Sequence, residues 1–362
     1  MPKFYQVDPQ SISQICSDIL KSYQVPEEDA EIVSKSLVEA DLRGVSSHGV
    51  IRLSIYLKRI EKGIMKSNPN IQFVKETQNT AVLDGDYGLG QVVSQRAISR
   101  LIQKMKENHL GAIAVRRSNH FGAGAYWAMQ LQEHDMIGIA VSNVEPLMAP
   151  PGGAAARVGN NPLALAVPAG KEKPIILDMA TSVVPLGRIV AAKSKGESIP
   201  LGWAVNRLGQ ATTDPDEVIN GGNLFPVGGP KGYGIAVMID ILSALLSGGA
   251  IGPDIHSLYQ DFNNPNDISH FFMAIRIDAF MDPRVFRESV DRYIQYMKNT
   301  PLAPNTNQVY LPGEIEILNK ERNLKEGITL PAAVVEEIVS YAKKASVSSD
   351  LINKLKVSPL DE

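Results

Sequence analysis

"RRSNHFGAGAYWAM", residues 116–129, is the stretch that decides the fold. The run leading into it, "GAIAVRRS" (111–118), is nearly all apolar and reads as a strand, and residues 125–133 read as a helix. His120 therefore falls in the loop beyond a strand's carboxyl end, where open α/β sheets bind ligands. Gly122 and Gly124 let the backbone turn sharply or approach a ligand closely. His120 itself reads equally as a functional imidazole or as a cap of the following helix. The same stretch is also an incomplete dinucleotide fingerprint. Gly-x-Gly-x-x-Gly needs a third glycine, which "GAGAYW" (122–127), "GLGQVV" (88–93) and "GYGIAV" (232–237) all lack. A nicotinamide cofactor, if bound, is not expected to use the Rossmann turn.

Around this stretch strands and helices alternate. "TAVLDG" (80–85), "IGIAVSN" (137–143), "LALAVPA" (163–169), "PIILDMA" (174–180) and "HFFMAIRI" (270–277) read as strands. Helices are expected over 91–108, 185–195 and 234–246. Near-continuous apolar runs of this kind suit a sheet covered on both faces. The chain ends read as helical. Asp8-Pro9 starts a helix to about residue 23, Pro26 starts a second ending near Gly44, and a third runs from 48 to 62. The tail is helical over 284–298 and 331–345. No linker separates the ends from the middle. The expected division is therefore residues 1–75 with 284–362 as a helical domain, and 76–283 as a sheet domain.

The 362 residues exceed one ordinary core, and 44% hydrophobic with 21% charged residues is a globular composition. A net charge of −3 with the signs interspersed points away from nucleic acid and anionic membranes. The single cysteine, Cys16, sits among Ile12, Ile15, Ile19 and Leu20 and reads as a core residue in a reducing compartment. "MPKFYQVDPQ" lacks the apolar segment of a signal peptide. "GYGIAVMIDILSALLSGGAIG" (232–252) has Asp240 at its middle and reads as a buried helix, not a membrane span. A cytoplasmic protein is the expectation. No two of the six histidines have the His-x-x-x-His spacing, and no P-loop occurs, so no metal site is expected.

Several stretches have both a chemical and a plain reading. In "SSHGVIRLSIY" (46–56), His48, Arg52 and Tyr56 are spaced four apart and would share one stripe of a continuous helix, opposite Val50, Leu53 and Leu57. That stripe is either a solvated face or a site where Arg52 grips a carboxylate and His48 exchanges a proton. Asn160, Asn161 and Pro162 precede a strand, where asparagines read amides and hydroxyls or simply make a turn. Asp178 ends a strand and either binds ribose hydroxyls or caps a turn. Lys231, in "GGPKGYG" (228–234), suits a phosphate or carboxylate, or points to solvent. His109, His134 and His256 read as surface residues and His270 as structural.

Taken together and in order, "DLRGVSSHGVIRL", "SNHFGAGAYWAM", "GNNPLALAVPA", "LDMATS", "GPKGYG" and "PLAPNTNQVYLPGE" resemble the malate/L-lactate dehydrogenase family that is distinct from the Rossmann-type enzymes. The resemblance runs from about residue 8 to 345. Members include archaeal-type malate dehydrogenases, sulfolactate and ureidoglycolate dehydrogenases and diketogulonate reductase. It implies an α/β fold with a non-Rossmann, mixed-sheet NAD(P)-binding domain and a helical domain formed by both chain ends, as in sulfolactate dehydrogenase. It also implies NAD or NADP as cofactor and a homodimer with the cleft completed at the interface. By resemblance, Ser47 and His48 are the catalytic pair, Arg52 binds the substrate carboxylate with Tyr56 one turn on, and His120 is the acid/base, with the reverse assignment of His48 and His120 as the alternative. Cofactor contacts carry over to Asn160, Asn161 and Pro162, to Asp178, Met179 and Ala180, to Lys231 and Gly232, and to Pro312, Gly313 and Glu314.

"NQVYLPGE" and "SIPLGWAVNRLGQATTDP" resemble the ureidoglycolate branch, whereas "SNHFGAGAYW", with Phe121, resembles the malate and lactate branch. The expected activity is interconversion of a small 2-hydroxy carboxylate and its 2-oxo acid, L-malate or L-lactate first. Oxidation of ureidoglycolate to oxalurate is the alternative, and a C=N reductase uses the same hydride geometry. A non-enzymatic binding relic of the fold is the reading from another class. The histidine base is expected to titrate near neutral pH.

Overall fold

The computed structural model describes residues 3–356 and 358–360. In chain order the first half comprises β1 (Phe4–Val7), α1 (Pro9–Ser22), α2 (Glu27–Leu42), α3 (Leu53–Glu61), β2 (Gln72–Glu76), β3 (Thr80–Asp84), α4 (Gly90–Met105), β4 (Leu110–Ser118), α5 (Gly124–Gln132), β5 (Met136–Ser142), β6 (Leu163–Val167) and β7 (Ile175–Met179). The second half comprises α6 (Leu186–Lys195), β8 (Ala204–Val205), α7 (Pro215–Ile219), β9 (Asn223–Leu224), α8 (Pro230–Asp240), β10 (Ile268–Arg276), α9 (Pro283–Lys298), α10 (Glu314–Glu326), β11 (Ile328–Pro331), α11 (Ala332–Lys344), α12 (Ser349–Asn353) and β12 (Ser358–Leu360).

Seven strands form one mixed sheet in the order β2-β3-β4-β10-β5-β6-β7. Only β3 and β4 pair in parallel, joined through α4; the other neighbours are antiparallel. The central strands are apolar at both parities because both faces are covered. On one face α4 and α5 bring Val93, Leu101, Trp127 and Leu131 against Ile113, Val115 and Phe272. On the other, Ile239 of α8 meets Ala114, Val141 and Phe271.

The two chain ends share a separate core. Ile12, Ile15, Cys16, Leu37, Leu53 and Leu57 pack with Val335, Ile338 and Leu355. A three-stranded sheet, β11-β1-β12, ties the ends, with Phe4 opposite Pro331. These three strands have no local signature in the sequence, because each needs a partner from the other end of the chain. Asp8 caps α1 by accepting from Ser11 N, with Pro9 in the first turn, as the sequence predicts.

Three features depart from the sequence reading. Residues 48–62 are not one helix: short 3-10 turns at Ser46–His48 and Val50–Arg52 precede α3. The apolar helix at 232–252 is not buried all round. Ala236, Ile239 and Ala244 face inward, whereas Met238, Leu245 and Leu246 are more than half exposed. No helix among the described residues is long and apolar enough to cross a membrane. Finally, α9 lies against loops of the sheet: its Asp291 accepts from the backbone N–H groups of Gly170, Lys171 and Glu172, and Arg287 pairs with Asp135. It is α10, unassigned in the sequence reading, that docks on the helical end of the molecule, through Asn323 to Leu42 O and Lys320 to Glu39.

The α5–β5 contact leaves no room at Gly138, where a Cβ would stand 2.3 Å from Ala128 O and 2.8 Å from Leu131 Cβ. Gly138→Ala should therefore destabilise by about 1–3 kcal/mol, the usual cost of overpacking a tight core. Urea denaturation checks this; an unchanged midpoint would contradict the packing described.

Candidate active site

A cavity of about 720 Å³ lies where the helical ends meet the sheet. Its walls come from the turn after α2 (Arg43, Ser47, His48), the loop after β4 (His120–Gly124), Asn160 and Pro162 before β6, the end of β7 (Asp178–Ala180) and the turn at Tyr310–Gly313. The size is that of an ordinary cofactor or ligand pocket.

The His48 turn is built by a buried carboxylate. Asp41 Oδ2 accepts from Val50 N at 2.7 Å, and a Cβ on Gly49 would lie 2.0 Å from Asp41 Oδ1. Gly49 is extended at ψ −156°, which interrupts helical winding just after His48. The predicted stripe is therefore broken. Tyr56 turns into the core and is fully buried, while Arg52 folds back so that its Nε donates to Ser47 O at 2.6 Å. The Arg52 guanidinium also lies over the Tyr259 ring, 5.0 Å from its centroid.

The His120 loop is held just as firmly. Asn119 Nδ2 donates to Tyr87 O and Gly88 O, and Trp127 Nε1 donates to Phe121 O. Phe121 stacks on His270 at 4.4 Å between ring centroids. His270 is structural: its two ring nitrogens each lie 2.9 Å from a serine hydroxyl, those of Ser142 and Ser118. Gly90, one of the glycines of the incomplete fingerprints, sits against this loop. A Cβ there would be 2.2 Å from Asn119 O and 2.4 Å from His120 O.

The two turns bring the histidines together. The His48 and His120 rings stack with centroids 5.4 Å apart and planes 25° from parallel. His48 Nδ1 is 2.9 Å from Ser47 Oγ, and His120 Nδ1 is 2.7 Å from Tyr56 Oη. Both rings thus have Nδ1 engaged, and Nε2 has no hydrogen-bond partner among the described residues. Burial, and then the Arg52 cation, hold His48 down at about 4. Burial, with His48 and Arg52 adding to it, holds His120 well below the usual imidazole value. This departs from the expected titration near neutrality: both rings are neutral at pH 7 and ready to accept a proton.

Ser47, His48, His120, Asn160, Pro162, Asp178, Met179, Ala180, Pro312 and Gly313 all line the cavity. Tyr56 stands behind His120. Asn161 is buried and pins loops together, accepting from Val144 N and donating to Ala236 O and Asp240. Glu314 braces the Pro312 turn by accepting from Leu311 N and pairing with Lys298. Lys231 and Gly232 begin α8 outside the cavity wall. Asp178 caps α5 by accepting from Ala125 N at 2.8 Å. It opens onto the cavity, and desolvation there pushes its carboxyl up to about 6, against the Ala125 N–H and Arg43, which pull it down. His109 and His134 are exposed, and His256 is half-buried beside Asp261. Among the described residues no three His, Cys, Asp or Glu side chains gather as a metal site.

The sequence reading missed Arg43, Gln91 and Tyr259. Arg43 lines the cavity at 6% exposure, and its guanidinium makes no hydrogen bond or ion pair with the described residues. It lay within a quoted motif, but nothing local set it apart from Arg52.

The chain matches the malate/L-lactate dehydrogenase family over residues 7–339. It is 43% identical to the malate dehydrogenase of Pyrococcus horikoshii over 91% of this chain and 92% of that one. A solved structure of malate dehydrogenase from that organism superposes with a TM-score of 0.87 at 39% identity, covering 96% of this chain and 97% of that one. The L-sulfolactate dehydrogenase of Methanocaldococcus jannaschii is 40% identical over 89% of this chain and 92% of its own. The ureidoglycolate dehydrogenase (NAD(+)) of Escherichia coli K12 is 32% identical over 93% and 96%. The chain belongs to the malate/L-lactate dehydrogenase family and is a dehydrogenase acting on CH–OH donors.

Because both histidines are neutral, kcat/KM for alcohol oxidation should stay level as pH falls from about 8 to 5.5, where a free imidazole base would already have lost most of its activity. A pH–rate profile with an acid limb centred near 6.5 would overturn the depressed values.

Proposed function

We propose that this protein oxidises a small 2-hydroxy carboxylate to its 2-oxo acid, reversibly, with NAD or NADP. The observation that carries this reading is the stacked pair of neutral histidines beside Arg52. The Arg52 Nε is occupied by Ser47 O, which leaves the two terminal nitrogens to clamp a carboxylate and so aim the C2 hydrogen. His120, through Nε2, takes the hydroxyl proton, and His48, braced by Ser47, polarises the same oxygen or shares the proton. A bound nicotinamide supplies the acceptor for the hydride leaving C2.

The cavity suits a dinucleotide. A buried guanidinium with five donors and no acceptor is costly, and Arg43 presents one. A pyrophosphate fills that need. Asp178 and Asn160 face the same space and suit ribose hydroxyls, with Met179, Ala180, Pro162, Pro312 and Gly313 as apolar and backbone walls. Lys231 and Gly232 then contribute only through the packing of α8, or reach the cofactor where it extends past the cavity. Asn161 and Glu314 act as braces. Arg43→Met should raise the NADH Kd about 10–100-fold, the worth of a charge-assisted hydrogen bond or two, in a fluorescence titration. An unchanged Kd would remove the pyrophosphate assignment.

L-Malate or L-lactate is the favoured substrate, supported by the similarity to malate dehydrogenases and by Phe121 beside the reacting histidine. Ureidoglycolate is the second reading, supported by the E. coli relative. A panel of malate, lactate, sulfolactate and ureidoglycolate with each cofactor should show turnover of one of the first two. Turnover of ureidoglycolate alone would select the second reading. A chain that turned over none of them and failed to bind NADH would be a relic of the fold.

A homodimer is also part of this reading. Ile235, Met238, Ile241 and Leu245 repeat every three or four residues along α8 and the π turn that follows it, and all are exposed. Such an apolar stripe marks an interface. Sedimentation should give a dimer, and Met238→Asp with Leu245→Asp should give monomer; an unshifted double variant would place the interface elsewhere. The single buried Cys16 fits a cytoplasmic setting.

A further inference from the structure

Gln91 lies on α4, wholly buried, and does not line the cavity. Its Nε2 donates to Tyr56 Oη at 3.0 Å, and Tyr56 Oη is 2.7 Å from His120 Nδ1. Its Oε1 is buried with no partner. A side-chain amide has one end that only donates and one that only accepts, and a phenol has a single proton to give. These facts couple Gln91 to the imidazole. With Nε2 donating to Tyr56, the phenol proton is directed at His120 Nδ1, which must accept it. The neutral ring then carries its own proton on Nε2. With the amide turned over, the orphaned Oε1 accepts the phenol proton and Tyr56 Oη accepts from Nδ1–H. The ring then presents a bare Nε2 to the cavity.

We propose that Gln91 is a positioning residue that sets, through Tyr56, which ring nitrogen of His120 carries the proton. A bare Nε2 is the form that accepts the proton of an alcohol, becoming the imidazolium that returns it in the reverse reduction, whereas the neutral Nε2–H form can only hydrogen-bond to the carbonyl oxygen. A single glutamine serves both because only an amide offers a donor and an acceptor at one place. Each orientation leaves one end of the amide without a partner, an acceptor in the first and a donor in the second, so neither arrangement is locked by a second hydrogen bond. The inference rests on the reading of His120 as the acid/base only for its catalytic consequence; the tautomer itself is observable without turnover.

The test is nitrogen NMR on protein labelled with 15N at its six histidines, with His120 assigned by its loss in His120→Asn. In the unaltered protein the two ring nitrogens of His120 should show averaged shifts from both tautomers. In Gln91→Leu the phenol has only Nδ1 left to donate to, so His120 should lock as the Nε2–H form. Its kcat should fall about 10²-fold at unchanged NADH Kd, within the range of a lost acid/base contribution. Tyr56→Phe cuts the relay, and adding Gln91→Leu to it should then leave the His120 shifts unmoved. Gln91→Met serves if the leucine variant does not fold. Unchanged His120 shifts in Gln91→Leu would overturn the proposal, as would equal changes with and without Tyr56. If the tautomer moves and kcat does not, the proposal stands and the acid/base role of His120 falls.

Discussion

The contact between Asp41 and the backbone at Gly49–Val50 is the constraint on which the site depends. A carboxylate buried at the end of α2 takes the Val50 N–H at 2.7 Å and occupies the space where any side chain at position 49 would sit. Burial pushes its carboxyl up to about 7, so this is an uneasy place for a charge. The cost is met by what it fixes. It halts the winding after His48, holds that imidazole at the cavity wall, and re-phases the chain so that Tyr56 enters the core behind His120. A straight helix would have left His48, Arg52 and Tyr56 on one side.

The electrostatics follow from the same arrangement. Two imidazoles packed face to face, half-buried in the cavity wall and next to a permanent guanidinium charge, are held neutral. Arg52 therefore helps keep protons off both rings. On the proposed reading, the same charge attracts an anionic substrate.

Much of this was legible in the sequence, for reasons that can be traced to particular residues. The apolar runs at 111–115, 137–141 and 270–275 announced doubly covered strands, and the absent third glycine pointed away from a Rossmann fold, in line with the mixed, largely antiparallel sheet. Some of those glycines serve packing, as Gly90 does against the His120 carbonyl, while Gly122 and Gly124 line the cavity. What periodicity could not carry was the break at Gly49, which depends on a carboxylate eight residues earlier. Nor could it see β1 and β11, which exist only as a pair. Gln91 and Arg43 were invisible because their significance lies in what surrounds them in space: a phenol on another helix for one, and for the other a cavity wall where its guanidinium makes no hydrogen bond or ion pair with the described residues, Glu39, Glu316 and Asp178 acting on it only at longer range. Asn161 and Glu314, read by resemblance as cofactor contacts, are occupied in bracing the loops that carry their neighbours.

The pairing of β1 with β11 has a consequence for how the molecule comes into being. The lobe that carries His48 cannot close its core until residues 328–331 have arrived to meet residues 4–7, some three hundred positions earlier. The sheet that carries His120 is complete by residue 276 and can form first. Contacts of such long sequence separation form late and slowly. The two histidines thus belong to bodies made at different times, and the nascent chain holds a finished sheet with only half a site until its last segment emerges.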